Sequence, residues 1–568
     1  MKEDKFRMVA KTFEGLEDVL RDELIEIGAE NVEMGNRMVS FEGDLAMLYK
    51  ANLCCRTALR ILKPIVMFTA SSTDELYDYL RDLDWEQFMD SKTTFSVDST
   101  VFGDDFTHSK FVTYRVKDAI VDHFRDKEGY RPSIRLEGAD LQLNVHIAGD
   151  RVTVSLDSSG EPLFKRGYRV EQTEAPINEV LAAGIILKTG WRGDSDFLDP
   201  MCGSGTFLIE AALIAANINP GIYRESFAFE KWKDFDKDLF EEIYNDDSAE
   251  REFSYKIFGG DIDPDAIAVA RKNIKSARVE EMVELSCRPL TDWKADTSEG
   301  ILVTNPPYGE RLRPNNLDNL YKEIGSTLKN NFQGWHAWII GYHEDQLKEI
   351  GLKPSVKIPL NNGKLECSLR EYVMFDGAYS QFRSDGGSVA SEASEKKKNL
   401  GPRKMRRISD EEWKNESRKI NRSNGFKEEK SSGKGKKFRD RDDRGDRKFR
   451  DRDERGDRKF RDRGDRGDRK FRDRDDRGDR KFRDRDDRGD RKFRDRDDRG
   501  DRKFRDRDDR GDRKFRDRGD RNQRKEGGLT SPISYDPRNS KGPRLPKDSE
   551  LIINPVHIRK RKNSSDSK

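Results

Sequence analysis

Three short clusters near the middle of the chain carry residue types that can do chemistry. They are Asp199-Pro200-Met201-Cys202-Gly203-Ser204-Gly205-Thr206, Gly259-Gly260-Asp261-Ile262-Asp263 and Asn305-Pro306-Pro307-Tyr308. In the first, Gly203 and Gly205 permit a tight turn and let backbone approach a ligand with no Cβ in the way. A helix that begins after such a turn offers its first amides to a carboxylate. The cluster lacks the third glycine of a dinucleotide fingerprint and the lysine of a phosphate loop, which argues against NAD and ATP. In the second, Asp261 stands where a strand ends and can accept hydrogen bonds from ribose hydroxyls. Asp263 precedes Pro264 and a helical pattern, so it reads as a helix cap.

The third cluster decides the reaction. Pro306 and Pro307 remove two backbone donors, so the carbonyls of Asn305 and Pro306 are free to point into a pocket. The Asn305 side-chain oxygen and the Pro306 carbonyl can accept both protons of a planar NH2 group. That aims the nitrogen lone pair at a methyl donor, which is catalysis by positioning. Tyr308 offers a ring face on which a base can stack.

The elements around these clusters must hold them. From about residue 165 to 375, strands and helices alternate, which predicts a mostly parallel sheet covered by helices. Residues 197–199 read as a strand end and 205–216 as a helix. Residues 257–261, 301–304 and 338–340 are short apolar strands of the buried type. Residues 355–360 and 365–374 close as an antiparallel hairpin through Asn361-Asn362-Gly363. Upstream, the first 45 residues read strand, helix, strand. Leu16, Val19, Leu20, Leu24 and Ile27 form one apolar stripe, with Gly28 as the stop. A second α/β stretch, 44–160, ends in a hairpin in which Leu141, Leu143, Val145 and Ile147 alternate with polar residues before the turn Ala148-Gly149-Asp150. His146 falls on the polar face of that strand and is expected to be exposed.

Composition separates this body from the remainder of the chain. The chain has 568 residues, 33% hydrophobic and 39% charged. Residues 1–380 carry 46 Lys and Arg against 67 Asp and Glu, a net −21, whereas residues 381–568 carry 66 against 43, a net +23. Within the basic part Phe438, Phe449, Phe460, Phe471, Phe482, Phe493, Phe504 and Phe515 recur every 11 residues in a unit close to F-R-D-R-D-D-R-G-D-R-K. An 11-residue repeat can mark a right-handed supercoil, but only with several apolar positions per unit. One Phe and one Gly per unit predict a disordered tail instead.

These numbers exclude a uniformly globular chain, a membrane protein and a disulfide scaffold. No apolar run approaches the roughly 18–20 residues that span a bilayer. The N-terminus has no signal-peptide hydrophobic region, so a cytoplasmic protein is expected. Cys54, Cys55, Cys202, Cys287 and Cys367 form no C-x-x-C pair and read as buried, reduced thiols with no metal.

Taken together the three clusters resemble those of class I S-adenosylmethionine-dependent methyltransferases of amino groups. The resemblance extends to longer stretches: L-D-P-M-C-G-S-G-T-F-L-I-E-A-A, F-K-R-G-Y-R-V-E-Q-T-E-A-P-I-N-E, G-D-I-D-P and N-P-P-Y-G-E-R-L are similar to the RlmL family, bacterial enzymes that methylate guanine N2 in large-subunit ribosomal RNA. It covers about residues 1–378. The fold it implies is α/β: a Rossmann-like methyltransferase domain at 161–380, preceded by a ferredoxin-like segment at 1–43 and a THUMP-like RNA-binding domain at 44–160. The tail, 381–568 with repeats at about 438–520, lies outside it.

What the family implies here is methyl transfer from S-adenosyl-L-methionine to the N2 amine of a guanine in 23S ribosomal RNA. The RNA would be met before or during subunit assembly by a monomer that needs no metal and no membrane. Asn305, Pro306 and Tyr308 would form the catalytic pocket. Asp199, Gly203, Gly205 and Asp261 would hold the cofactor, with Glu179 from the preceding helix. Related enzymes place an Asp after the third strand to meet the adenine amine. Here that stretch is Cys287-Arg288-Pro289-Leu290-Thr291-Asp292, so Asp292 is the available acid. Some family members continue into a second methyltransferase; this chain has the repeat tail instead, so no second modification is expected.

Two other functions fit parts of the pattern. A THUMP-bearing transfer-RNA guanine-N2 methyltransferase would show the same motifs. A ribosome-assembly protein acting through its Arg- and Phe-rich tail would show the tail with a vestigial methyltransferase, although an idle pocket has no need of the glycine turn or of N-P-P-Y. Protein-glutamine and DNA-adenine methyltransferases share N-P-P-Y but have no use for the amino-terminal modules. The tail itself is expected to act as a tethered, salt-sensitive RNA anchor, against the plainer reading of a solvated spacer.

Overall fold

The computed structural model describes residues 5–309, 317–375, 377 and 408–426. Apart from residues 408–426, the tail with its Phe repeats lies outside the described residues, as does the expectation of disorder there.

The amino-terminal half is built on an eight-stranded sheet. In chain order its elements are β1 (Phe6–Lys11), α1 (Glu17–Glu26), β2 (Glu30–Gly35), β3 (Met38–Gly43), α2 (Leu45–Cys54), β4 (Arg60–Thr69), α3 (Thr73–Arg81), β5 (Thr94–Phe102), α4 (Ser109–Glu128), β6 (Ser133–Ile134), β7 (Leu141–Ala148) and β8 (Arg151–Asp157). The strand order is β2-β3-β1-β4-β8-β7-β5-β6. The helical stripe works as its spacing predicts: Leu16, Leu20 and Leu24 are fully buried, and Gly28 ends the turn at φ +93°. A β2–β3 hairpin replaces the single strand expected after α1. The hairpin β7–β8 forms in the expected register. His146 is half-buried rather than exposed, and burial pulls its ring down to about 4.

The second sheet contains β9 (Asp196–Asp199), β10 (Ile257–Asp261), β11 (Val283–Cys287), β12 (Gly300–Thr304), β13 (His336–Gly341), β14 (Val356–Asn362) and β15 (Leu365–Val373). Their order is β11-β10-β9-β12-β13-β15-β14. The strands from β11 to β13 are parallel, and β15 and β14 add antiparallel to that edge. Around it lie α5 (Glu179–Thr189), α6 (Thr206–Ala215), α8 (Pro264–Ser276), α9 (Leu317–Asn331) and α10 (Glu344–Glu349), whereas α7 (Lys237–Asn245) packs on α2 and adds Phe240 and Ile243 to the core of the amino-terminal half. All ten residues of α6 are buried.

One element was not expected. Residues Asp410–Ser423, in a stretch whose composition predicts no burial, form a helix, α11. Ser409 and Glu412 make a reciprocal capping box, with Glu412 N donating to Ser409 Oγ at 3.2 Å and Ser409 N to Glu412 Oε2 at 3.0 Å. Gly425, at φ +74°, stops it. Average charge concealed an amphipathic segment, because Trp413 and Ile420 are seven residues apart and share one face.

Candidate active site

Asp199 closes β9 and Asn305 directly follows β12; the two strands are neighbours where the chain order of the sheet reverses. At such a point the connections diverge and leave a crevice beyond the carboxyl ends of the strands. Thr304 Oγ1 donates to Asp199 Oδ1 at 2.9 Å, and the Met201 amide donates to the same oxygen at 3.2 Å. Asp199 is 1% exposed. It therefore fastens the two strand ends together from beneath. Burial, with Asp261 close by, pushes its carboxyl up to about 7.

Residues 201–205 then fold over that acid. Cys202 N donates to Gly260 O at 2.7 Å, and Gly205 N to Cys202 O at 2.8 Å. Gly203 and Gly205 take φ +53° and +80°, where a side chain is strained. Their reasons differ. A Cβ on Gly205 would lie 3.2 Å from the Cβ of Ala270 on α8, whereas one on Gly203 would meet only Thr173 Oγ1 at 3.7 Å. Packing demands Gly205, while Gly203 lines open space that a ligand can use.

Asp261 spans the loop from the other side. Its Oδ2 accepts from Gly203 N and its Oδ1 from Asp263 N, both at 3.0 Å. Burial raises its pKa. Asp263 caps α8 through Asp265 N at 2.9 Å, as the D-P pair predicts. Between the two acids Ile262 is 73% exposed. An apolar side chain left in solvent beside a carboxylate offers a face to a planar ring, and sequence reasoning passed over it.

Glu179 opens α5 and reaches the glycine loop through a partner that the sequence did not single out. Arg169 donates to Glu179 Oε1 at 2.7 Å, to Ser204 Oγ at 3.2 Å and to Thr206 Oγ1 at 3.0 Å. Glu179 is 6% exposed, so the structure brings it to the loop by way of Arg169. Asp292 lies apart from this group. It ends a short 3-10 helix after β11, is exposed, and accepts from Thr291 Oγ1 at 3.3 Å.

In the third cluster Asn305 Oδ1 accepts from the Tyr308 hydroxyl. Gln346 Nε2 donates to Tyr308 O at 3.2 Å. The Tyr308 ring is half-buried, 6.5 Å from Tyr342, and burial holds its hydroxyl well above the usual phenol range. Among the described residues no hydrogen-bond donor meets the Pro306 carbonyl. Of the two acceptors, Asn305 Oδ1 is thus already taken by Tyr308.

The cysteines depart from expectation at two positions: Cys54, at the end of α2, is only half-buried, and Cys287, at the end of β11, is exposed. Among the described residues no group of three or more His, Cys, Asp and Glu could hold a metal ion, and no helix is long and apolar enough to cross a membrane.

Three family models match successive parts of the chain, and the first reaches past residue 43, where the ferredoxin-like segment was expected to end. Residues 7–62 match the RlmL ferredoxin-like domain, 70–157 the THUMP domain, and 166–371 the RMKL-like methyltransferase domain. A Synechocystis protein named as an RNA methyltransferase is 36% identical over 64% of this chain and 95% of its own length. A ribosomal RNA large subunit methyltransferase K/L of Syntrophotalea carbinolica is 40% identical over 65% of this chain and 53% of its own, so the chain spans about half of that relative. A crystallised methyltransferase, SMU.472, complexed with SAH, superposes with a TM-score of 0.60 at 34% identity, over 66% of this chain and all of the other.

Proposed function

The chain belongs to the RlmL-type family of THUMP-bearing methyltransferases, and on that premise we propose that it methylates the exocyclic N2 amine of a guanine in large-subunit ribosomal RNA. The methyl donor in this reading is S-adenosyl-L-methionine, which supplies an electrophilic methyl group when bound. The residues fit it. Gly203 lines open space, Asp261 presents a carboxylate to ribose hydroxyls, and Ile262 offers an apolar face beside it. In this assignment Asp199 keeps the loop in place from below, Gly205 seats it on α8, and Glu179 steadies it through Arg169. Asp292, which follows β11, is the acid this reading assigns to the adenine amine, although it stands apart from the other cofactor residues.

The observation that carries the reading is the Thr304–Asp199 hydrogen bond, which joins the strand before Asn305-Pro306 to the strand before the glycine loop. It makes the amine-binding carbonyls and the donor loop one rigid unit. Asn305 and Pro306 orient the target amine through two acceptors, and Tyr308 stacks on the base. Nothing has to remove a proton before attack, because the amine lone pair attacks first and the extra proton leaves to solvent.

The test is mass-spectrometric mapping of N2-methylguanine in ribosomal and transfer RNA from strains with and without the protein. One position in large-subunit RNA should lose its methyl group in the deletion strain. Loss confined to transfer RNA, or loss of an N6-methyladenine, would sink the proposal.

A further inference from the structure

The seam between the ferredoxin-like and THUMP halves has an exposed flaw. Strand β1 pairs with β4 only over Arg60, Ile61 and Leu62, and β4 carries a bulge between Pro64 and Val66 where it pairs with β8. Beyond Leu62 the inner edge of β4 has lost its strand partner. Backbone groups left unpaired there are costly once buried, so each needs another partner.

Helix α11 fills that edge. Asn421 acts like a residue of a missing strand: its Oδ1 accepts from Met67 N at 3.0 Å while its Nδ2 donates to Met67 O at 2.8 Å. Asn424 Nδ2 donates to Ile65 O at 3.0 Å. Trp413 and Ile420, 8% and 6% exposed, close over the Met67 side chain. Ion pairs fix the direction. Glu416 meets Arg7 on β1, Asp410 meets Arg151 on β8, and Lys419 meets Glu42 on β3 at 2.7 Å. The Arg151 guanidinium also lies 5.4 Å from the Trp413 ring. The segment ends with Phe426 against the core of the amino-terminal half. It lies beyond residue 371, where the last family match stops.

We propose that residues 409–426 are a dock that seats the root of the basic tail on the ferredoxin–THUMP seam, so that the tail is a second, sequence-blind RNA contact of the RNA-holding half. This rests on the reading that the substrate is RNA. Asn421 and Asn424 together pair three main-chain groups of β4, and the net +18 of residues 427–568 is thereby held at that anchor. Undocked, the tail would hang from the methyltransferase domain by about 50 residues, a coil of roughly 40 Å, and its effective concentration at RNA would fall with tether length.

The test uses the full chain carrying Asn421→Ala with Asn424→Ala, and separately Asn421→Asp, which keeps the acceptor but loses the donor to Met67 O. Hydrogen exchange should show the Met67 amide losing protection in the double variant, with α3 and α4 unaltered. Unchanged protection overturns the dock. On one ribosomal RNA fragment near 0.1 M salt, Kd should rise about 3–10-fold in the double variant, with turnover at saturating RNA unchanged. Equal Kd with lost Met67 protection overturns the second RNA contact. Should the wild type bind this RNA but methylate none, while the Kd shift persists, the proposed substrate falls and the dock stands.

Discussion

Asn305 enters any reaction already engaged, because its side-chain oxygen accepts from the Tyr308 hydroxyl. A base amine must displace that hydroxyl to gain the second acceptor, which favours a donor strong enough to compete. Asn305→Ala should cost on the order of 10²–10³ in kcat, with cofactor Kd nearly unchanged, since in the proposed reading the residue faces the base. Wild-type turnover in that variant would take Asn305 out of the mechanism. Tyr308→Ala should weaken RNA capture by roughly 1–3 kcal/mol if the ring stacks on the base. Asp199 gives a pH signature. Its folded pKa, about 7, lies above the ordinary 3.8, so folding favours the protonated acid. That contribution is complete below about pH 4 and is lost as pH rises through 7. Asp199→Asn keeps the acceptor for Thr304 and Met201. In ligand-free protein its Tm advantage over wild type should therefore grow from pH 4 to 7 and then level off. A pH-independent gap would mean the carboxyl is not shifted.

At the scale of elements, the crevice depends on how the glycine loop is held. Asp261 grips it from β10 and Arg169 from the segment before α5. Arg169→Ala would leave Glu179 buried without its cation, a change that typically costs about 3–5 kcal/mol. It should also raise cofactor Kd about tenfold, read by calorimetry. An unaltered Kd would make the Arg169–Glu179 pair purely structural. The glycine loop, the acids after β10 and the carbonyl pair after β12 were legible because each is a local pattern at a strand end. Arg169 was not, because its partners Ser204 and Thr206 are more than thirty residues away in sequence. Ile262 was hidden for a different reason. Its meaning lies in being exposed, and sequence pattern alone does not separate a core Ile from a bare one. The α11 helix was missed because a charge average over 381–568 outweighs two apolar residues, although S-D-E-E is a readable cap.

The whole molecule is polarised, with −21 over residues 1–380 and +23 over 381–568. A body of that charge repels a polyanion at long range, so RNA meets it better with the tail attached. The interleaved Asp residues hold the tail's affinity below that of a pure Arg tract. In the proposed RNA contact, one Phe every 11 residues would add stacking without adding charge. Helix α11 decides where the chain can be cut. A cut at Ser380 would strip the helix from β4 and bare Met67, whereas a cut after Phe426 keeps the dock and removes the repeats. For single-stranded RNA, log K falls with log salt by about 0.7 per phosphate neutralised. The chain cut after Phe426 should therefore keep the Tm of the full-length protein and its turnover at saturating RNA. It should bind the same RNA fragment more weakly at low salt, with a shallower slope. Because the tail's share of binding is screened first, the two proteins should converge in affinity as salt rises. Superimposable affinities and slopes across that titration would reduce the tail to a spacer.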